Sequence, residues 1–316
     1  MSLQRTPIRN LEQMKLSLIA RHVAGLNSLD RIFYVPFWEC PYMCDFCCVD
    51  SLPGKPPADL QAGEPILFAL MDRLYENTGR KQQVHVYGGE PMLRPDYMYS
   101  LARSLKDRPS FDRFYMYSTL RPGKEEPLVD ILGPEKLKII VNPDTATDSI
   151  REKVQQYGRA HKGMVEFYFN PTFFPTGRGS EDLSGYKPNW MQKYLPTGIP
   201  GRACFARISG MLVNGPDRSV HLCCLPQSPV VGNFADQIHE GQDSESLEER
   251  SRIIYHSYLQ GLKNYPSEVN SRARQEGRPH PCSVCNHDHL AGKRLSSETD
   301  PKKVGENGIL QRTPGR

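Results

Sequence analysis

The chain has 316 residues, 38% hydrophobic and 24% charged, which allows a packed core in one or two domains and excludes wholesale disorder. Its net charge of +4, from 40 basic and 36 acidic residues without a dense Lys/Arg run, is too small to call for nucleic acid. No stretch approaches the ~20 apolar residues of a membrane span, and the N-terminus lacks the unbroken apolar core of a signal peptide, so a cytoplasmic protein with no membrane or nucleic-acid partner is expected.

Residues 1–29 read as a short amphipathic helical extension. Residues 31–37, Arg-Ile-Phe-Tyr-Val-Pro-Phe, read as a strand rich in aromatic and β-branched residues. A Pro/Gly loop over 51–57 leads to a predicted helix at 64–77, with Ile66, Leu67, Leu70 and Leu74 on one face. Val84-His85-Val86-Tyr87 is a short strand running into Gly88-Gly89-Glu90-Pro91. A helix at 95–107, a strand at 112–118, a short helix at 125–132 and a strand at 137–141 follow. Asp144 and Thr147 offer caps for a helix at 147–158, and a fifth strand is expected at 165–170. Strand and helix alternate throughout, which argues for parallel strands with crossover helices over 30–171.

The rhythm breaks at a Gly-, Pro- and Tyr-rich linker, 172–203. Strands at 208–214 and 219–222 flank Gly215-Pro216-Asp217-Arg218 and read as a hairpin. A helix at 245–263 carries Leu247, Ser251, Ile254, Tyr258 and Leu262 at helical spacing. These elements make up a C-terminal unit over 204–290, and the polar residues 291–316 read as a mobile tail. No internal repeat is present.

Nine cysteines fall in three groups: Cys40, Cys44, Cys47 and Cys48; Cys204, Cys223 and Cys224; Cys282 and Cys285. In a reducing compartment such clustering favours metal binding over disulfides. Cys40, Cys44 and Cys47, at x3 then x2 spacing, suit a cluster of soft metal ions. A zinc site would normally require a fourth ligand. Three ligands on a four-iron cluster leave one iron open. Cys282-Ser-Val-Cys285 is a two-ligand bite on a metal, open on its own to zinc (with His287 and His289), redox or iron–sulfur roles.

The Cys40–Cys47 spacing, with Phe46 just before the last cysteine and a strand before the first, resembles the signature of the radical S-adenosylmethionine (SAM) superfamily. Gly88-Gly89-Glu90-Pro91, about 40 residues on and also after a strand, resembles that family's GGEP motif. The resemblance implies that Cys40, Cys44 and Cys47 hold a 4Fe–4S cluster whose open iron chelates SAM. It also implies a reducing partner such as flavodoxin or ferredoxin, and binding of the SAM amino group by Gly88, Gly89, Glu90 and Pro91. By analogy Ser118 and Asn142, at strand ends, are assigned to the ribose and Phe46 to the adenine. Each is equally readable as a cap, turn or core residue. The implied fold is α/β: a partial (β/α) barrel with cofactors at the C-terminal strand ends. Only about five strand–helix units precede residue 171, one fewer than is usual in the family. That fits a truncated barrel whose open side is closed by a small C-terminal β-hairpin/helix unit.

The segment Asn214–Cys224 resembles the hairpin of the SPASM and twitch extensions of radical SAM enzymes, which carry auxiliary 4Fe–4S clusters. One further Cys-x2-Cys pair fits the shorter twitch form, which implies an auxiliary cluster on Cys204, Cys223, Cys282 and Cys285. The spacing from Gly215 to Cys223 is longer than usual there, so Cys224 is an alternative to Cys223. Otherwise Cys224, like Cys48, is a buried spectator. An auxiliary cluster gives a second electron site, whose simplest use is oxidation of a small molecule, in secondary metabolism. Arg121, Arg202 and Arg207 are available to an anionic substrate, although exposed arginines are usually only solvated. The alternatives are thioether or carbon–carbon crosslinking of a ribosomal peptide, sulfur insertion from the auxiliary cluster, and a non-catalytic zinc or iron–sulfur module. Peptide maturases often carry an N-terminal peptide-binding domain of ~80–90 residues, and only about 30 residues precede the first strand here.

Overall fold

The computed structural model describes residues 29–42, 51, 53, 59–61, 63–141, 147–167, 204, 206–234, 244–277, 282, 284, 285 and 288. The expected N-terminal helix, the linker and the C-terminal tail lie outside these residues. None of the described helices is long and apolar enough to cross a membrane.

Five strands alternate with helices in the first half: β1 (Arg31–Val35), α1 (Glu64–Thr78), β2 (Gln82–Val86), α2 (Pro95–Lys106), β3 (Phe111–Tyr117), α3 (Glu126–Leu132), β4 (Leu137–Val141), α4 (Asp148–Ala160) and β5 (Val165–Phe167). All four neighbouring pairs from β1 to β5 are parallel. The unit is therefore the strand–helix repeat of a partial (β/α) barrel, five strands wide. One face of the sheet is mostly aliphatic. Ile32, Val84, Phe114 and Leu137 lie side by side in register, as do Tyr34, Val86, Met116 and Ile139, and all are fully buried. The helices pack on this face: α1 meets it with Ile66, Leu67, Leu70, Met71 and Leu74, and Tyr97 of α2 hydrogen-bonds Tyr34 at 2.9 Å between hydroxyl oxygens. Side chains alternate along a strand, so the opposite face receives Phe33, His85 and Tyr115.

The C-terminal half continues the same sheet. A short helix α5 (Ala206–Ser209) leads into β6 (Met211–Asn214), which pairs in parallel with β1. β7 (Ser219–His221) and β8 (Val230–Asn233) then follow antiparallel. The eight strands run β5-β4-β3-β2-β1-β6-β7-β8, so β1 is interior and the hairpin extends the sheet at the edge opposite β5. Helix α6 (Ser244–Gln275) crosses back over β8 and packs against α1. Its buried Ile254, Tyr255, Tyr258, Leu259 and Leu262 join the core that α1 and α2 cover.

Several sequence expectations shift. Ile208 belongs to α5, because Gly210 adopts φ +95°, a left-handed conformation that turns the chain from helix into strand. The expected helix ending at 263 continues through Pro266 to Gln275. β8 was not expected: it is short, has a glycine within it and lies on the sheet edge. Thr147 occupies the N-cap position of α4 but does not cap it; its hydroxyl pairs with Ser149 instead, 2.9 Å away. Asp144 lies outside the described residues.

Candidate functional site

The loops after β1, β2 and β3 meet. Tyr87 N donates to Tyr34 O (3.1 Å), Gly89 N to Phe37 O (3.1 Å) and Glu90 N to Glu39 O (3.0 Å). The β1–β2 ladder thus runs on past the strands, up to the residue before Cys40. Two glycines make this approach possible. Gly88 has φ +115°, and a Cβ there would lie 2.7 Å from Val35 Cγ1. A Cβ on Gly89 would overlap the Glu39 carbonyl oxygen. Further along the chain, Ser51 Oγ donates to Gly88 O at 2.6 Å. The cysteine loop is therefore fastened to Gly88–Glu90 on both its sides, at Glu39 and at Ser51. Arg94 holds Glu39 from outside through Nε (3.0 Å) and Nη2 (2.7 Å). The Cys40 thiol is half-buried and donates to Tyr42 O at 3.6 Å. Cys44, Phe46, Cys47, Cys48 and Asn142 lie outside the described residues.

Glu90 is buried and its carboxylate is committed to the protein. It accepts from Ser118 Oγ (2.8 Å), Thr119 N (2.8 Å) and Met92 N (3.2 Å). Burial pushes its carboxyl above the usual range, and these hydrogen bonds pull the other way. Ser118, in turn, accepts from Leu120 N at 3.1 Å, so its hydroxyl serves as both donor and acceptor within the protein. The Glu90 side chain thus ties the glycine loop to the end of β3. Thr119 and Ser51 were not singled out by sequence; as ordinary loop residues they carry no signal there.

Below these loops lies the second, aromatic face of the sheet. His85 is stacked on Tyr115, 4.3 Å between centroids, and tilted against Phe33 at 4.7 Å. Tyr87 stands edge-on to Phe33 and Tyr117. His85 Nδ1 pairs with the Tyr117 hydroxyl at 3.3 Å, and Nε2 is buried without a partner. Burial, with the charge of Arg31 adding to it, pushes His85 down to about 3, so the imidazole is neutral. The alternation Val84-His85-Val86-Tyr87 and Phe114-Tyr115-Met116-Tyr117 is the sequence signal that marks this face.

The later cysteines converge on one cavity. Cys204, Cys223, Cys224, Cys282 and Cys285 all line it, with Tyr265 and Ser228. They arrive from three places: before α5, after β7 and beyond α6. Side chains of α6 hold two of these segments directly. Asn270 Oδ1 accepts from Cys204 N at 2.8 Å, and Tyr265 Oη lies 3.2 Å from Cys285 Sγ. Arg272 grips Asp288 with two hydrogen bonds, 2.7 and 3.0 Å. Cys223 N donates to Ser228 Oγ at 3.2 Å. Burial, and the neighbouring thiolates after it, push the Cys282 thiol well up. Burial also raises Cys285, whereas a hydrogen bond from Cys224 lowers Cys223. The thiols share a cavity, yet among the described residues no three His, Cys, Asp or Glu are placed to hold a single metal ion. His287 and His289 lie outside those residues. The two cysteine regions also touch: the Tyr87 hydroxyl, one residue before Gly88, donates to the Cys224 carbonyl.

No family model matches the chain, and no curated protein matches it. Among solved structures it is similar to BtrN in complex with AdoMet and 2-DOIA, at 15% identity and a TM-score of 0.48, covering 74% of this chain and 85% of that one. It is also similar to selenomethionine BtrN in an open conformation, at 14% identity and a TM-score of 0.43, covering 74% and 84%.

Proposed function

We propose that the chain is a radical SAM enzyme with one auxiliary 4Fe–4S cluster, acting on a small molecule. The observation that carries this reading is the main-chain zip between Gly89–Glu90 and Phe37–Glu39, closed on the far side by Ser51. It sets the Gly88–Pro91 loop against the cysteine loop, as a site shared by a cluster and its ligand requires. Cys40, Cys44 and Cys47 would hold the SAM-binding cluster, and Gly88–Pro91 the amino group of SAM. The Glu90 carboxylate acts behind that loop, fixing it to Ser118 and Thr119. Cys204, Cys223, Cys282 and Cys285 would hold the auxiliary cluster. The donor set fits such a group: soft thiolates around one cavity, spread more widely than a single ion requires.

When bound, these cofactors would supply hydrogen-atom abstraction and an acceptor for one electron, which together with loss of a proton amount to a two-electron oxidation such as that of an alcohol to a ketone. The chain's own part is to position and shield. The aromatic face of Phe33, His85, Tyr87, Tyr115 and Tyr117 forms a floor in which the His85 imidazole is neutral. Tyr87 sets that floor against the Cys223–Cys224 loop. Flavodoxin or ferredoxin is the expected electron donor.

The test is anaerobic reconstitution and reduction with SAM. The wild-type chain is expected to form 5′-deoxyadenosine, and Cys40→Ala to form none above background. Equal yields from the two would sink the enzyme reading. Cys282→Ala is expected to lose about four irons per chain while still cleaving SAM; unchanged iron would remove the auxiliary cluster from the proposal.

A further inference from the structure

We propose that Tyr265 is a positioning residue of the second cysteine site, whose hydroxyl donates to the Cys285 sulfur and holds the auxiliary cluster at a higher reduction potential than its thiolates alone would set. This rests on the reading of that site as an auxiliary cluster. The geometry is direct: Tyr265 Oη is 3.2 Å from Cys285 Sγ, and Tyr265 also lines the cavity shared by the five thiols. A sulfur that ligates iron is a thiolate and has no proton to give, so the O–H must be the donor.

The effect on potential follows from charge. Reduction adds one negative charge to the cluster, and part of it resides on the sulfurs. A donor aimed at a sulfur stabilises the reduced form more than the oxidised one. In the dry surroundings of this cavity the preference is larger than it would be in water. Val269, Ala273, Val284 and Cys285 form a small core of their own, with Cys204 and Tyr265 packed against it.

Donor and acceptor are fixed to the same helix: Tyr265 lies on α6, and Arg272, two turns on, grips Asp288 three residues beyond Cys285. Asn270, between them, holds Cys204. A tyrosine adds only two side-chain torsions to that frame. A space-filling role alone would need only the ring, which phenylalanine supplies equally. A raised potential makes the cluster a better acceptor for the electron that an oxidation must discard. It thereby favours oxidation over the other uses of a second cluster.

The experiment is a redox titration followed by electron paramagnetic resonance on the full, reconstituted chain. SAM is present, to shift the signal of the first cluster away from that of the second. Tyr265→Phe is expected to keep about eight irons per chain and both signals. At a fixed poise the oxidised-to-reduced ratio of the second cluster should rise about tenfold, a fall in midpoint of about 59 mV for one electron. The first cluster should not move. A second midpoint equal to that of the wild type overturns the inference. Wild-type chain in deuterated buffer provides a check that needs no variant: pulsed resonance should find an exchangeable deuteron coupled to the second cluster, and its absence overturns the inference as well. A wild-type chain with only four irons and one signal would instead show that the auxiliary reading itself is wrong, a different result from an intact cluster with an unmoved potential.

Discussion

The first cysteine loop and the second cysteine site are held in different ways. The first is fastened by main chain to main chain, through Gly89 N to Phe37 O and Glu90 N to Glu39 O, where a Cβ on Gly89 would strike a carbonyl oxygen. The second is fastened by side chains of one helix, with Asn270 on Cys204 and Tyr265 on Cys285. A backbone-held loop tolerates no added side chain, so it leaves a short, fixed motif. A side-chain-held site can be assembled from residues far apart, each adjustable by itself. Under the proposed function, the rigid fastening suits a site that must place a reactive group, and the adjustable one a site whose task is set by potential.

That contrast can be broken most severely at Gly89. Gly89→Ala should cost ~2–3 kcal/mol of local strain and separate the two loops. Iron is expected to fall by about four per chain, with 5′-deoxyadenosine lost and the second cluster retained. Full iron and normal SAM cleavage would show that the loop is not held in this way.

Leu70→Ala on α1 and Ile254→Ala on α6 test whether the two regions share one core, as the continuous sheet and the α1–α6 contact indicate. Both side chains are buried, and each truncation should cost about 2–5 kcal/mol. In urea, each is expected to shift one common transition. Two separable transitions would mean that the halves unfold independently. Asn270→Ala should have a smaller effect, about 1–3 kcal/mol, from leaving the Cys204 N–H unpaired. The expected readout is a broadened resonance from the second cluster beside an unaltered first.

The smallest effect concerns Glu125, which is fully buried, with neither carboxylate oxygen hydrogen-bonded. Burial pushes it from its usual 4.5 up to about 7. The folded chain thus keeps this proton where the unfolded chain releases it. The associated stability is present below pH 4.5 and is lost as pH rises through about 7. Glu125→Gln should narrow the difference in melting temperature between pH 5 and pH 8. A difference as large as in the wild type would assign that pH dependence to other groups.

Much of the first half was legible because its signals are local. The expected strand at 137–141 coincides with β4, and the helical face of Ile66, Leu67, Leu70 and Leu74 is buried as its spacing implied. The continuation of α6 through Pro266 was not legible, since proline ordinarily marks a helix boundary. Nor was β8, whose four residues on the sheet edge bury little. At the sites, the glycine motif stood out because close backbone approach restricts residue type, and the cysteine spacing because the metal ligation proposed for it would do the same. Ser51, Thr119, Asn270 and Tyr265 did not, because a hydrogen bond between segments distant in the chain leaves no periodicity. The aromatic face falls between these cases: its period of two was present in the sequence, but the strands' aliphatic face alone accounts for a buried sheet.

The place of β1 between β2 and β6 has a consequence for how the protein is made. Its partner on one side follows within about 50 residues, whereas β6 arrives about 175 residues after β1 ends. At a synthesis rate of about 5–20 residues per second, that edge waits roughly 10 to 35 seconds. An unpaired strand edge is a template for wrong partners over that interval. The nascent chain can join the first cysteine loop to Gly88–Glu90 early. The strand beneath that loop gains its second neighbour only when β6 has been made, so the order of birth places the first cysteine loop before the second cysteine site.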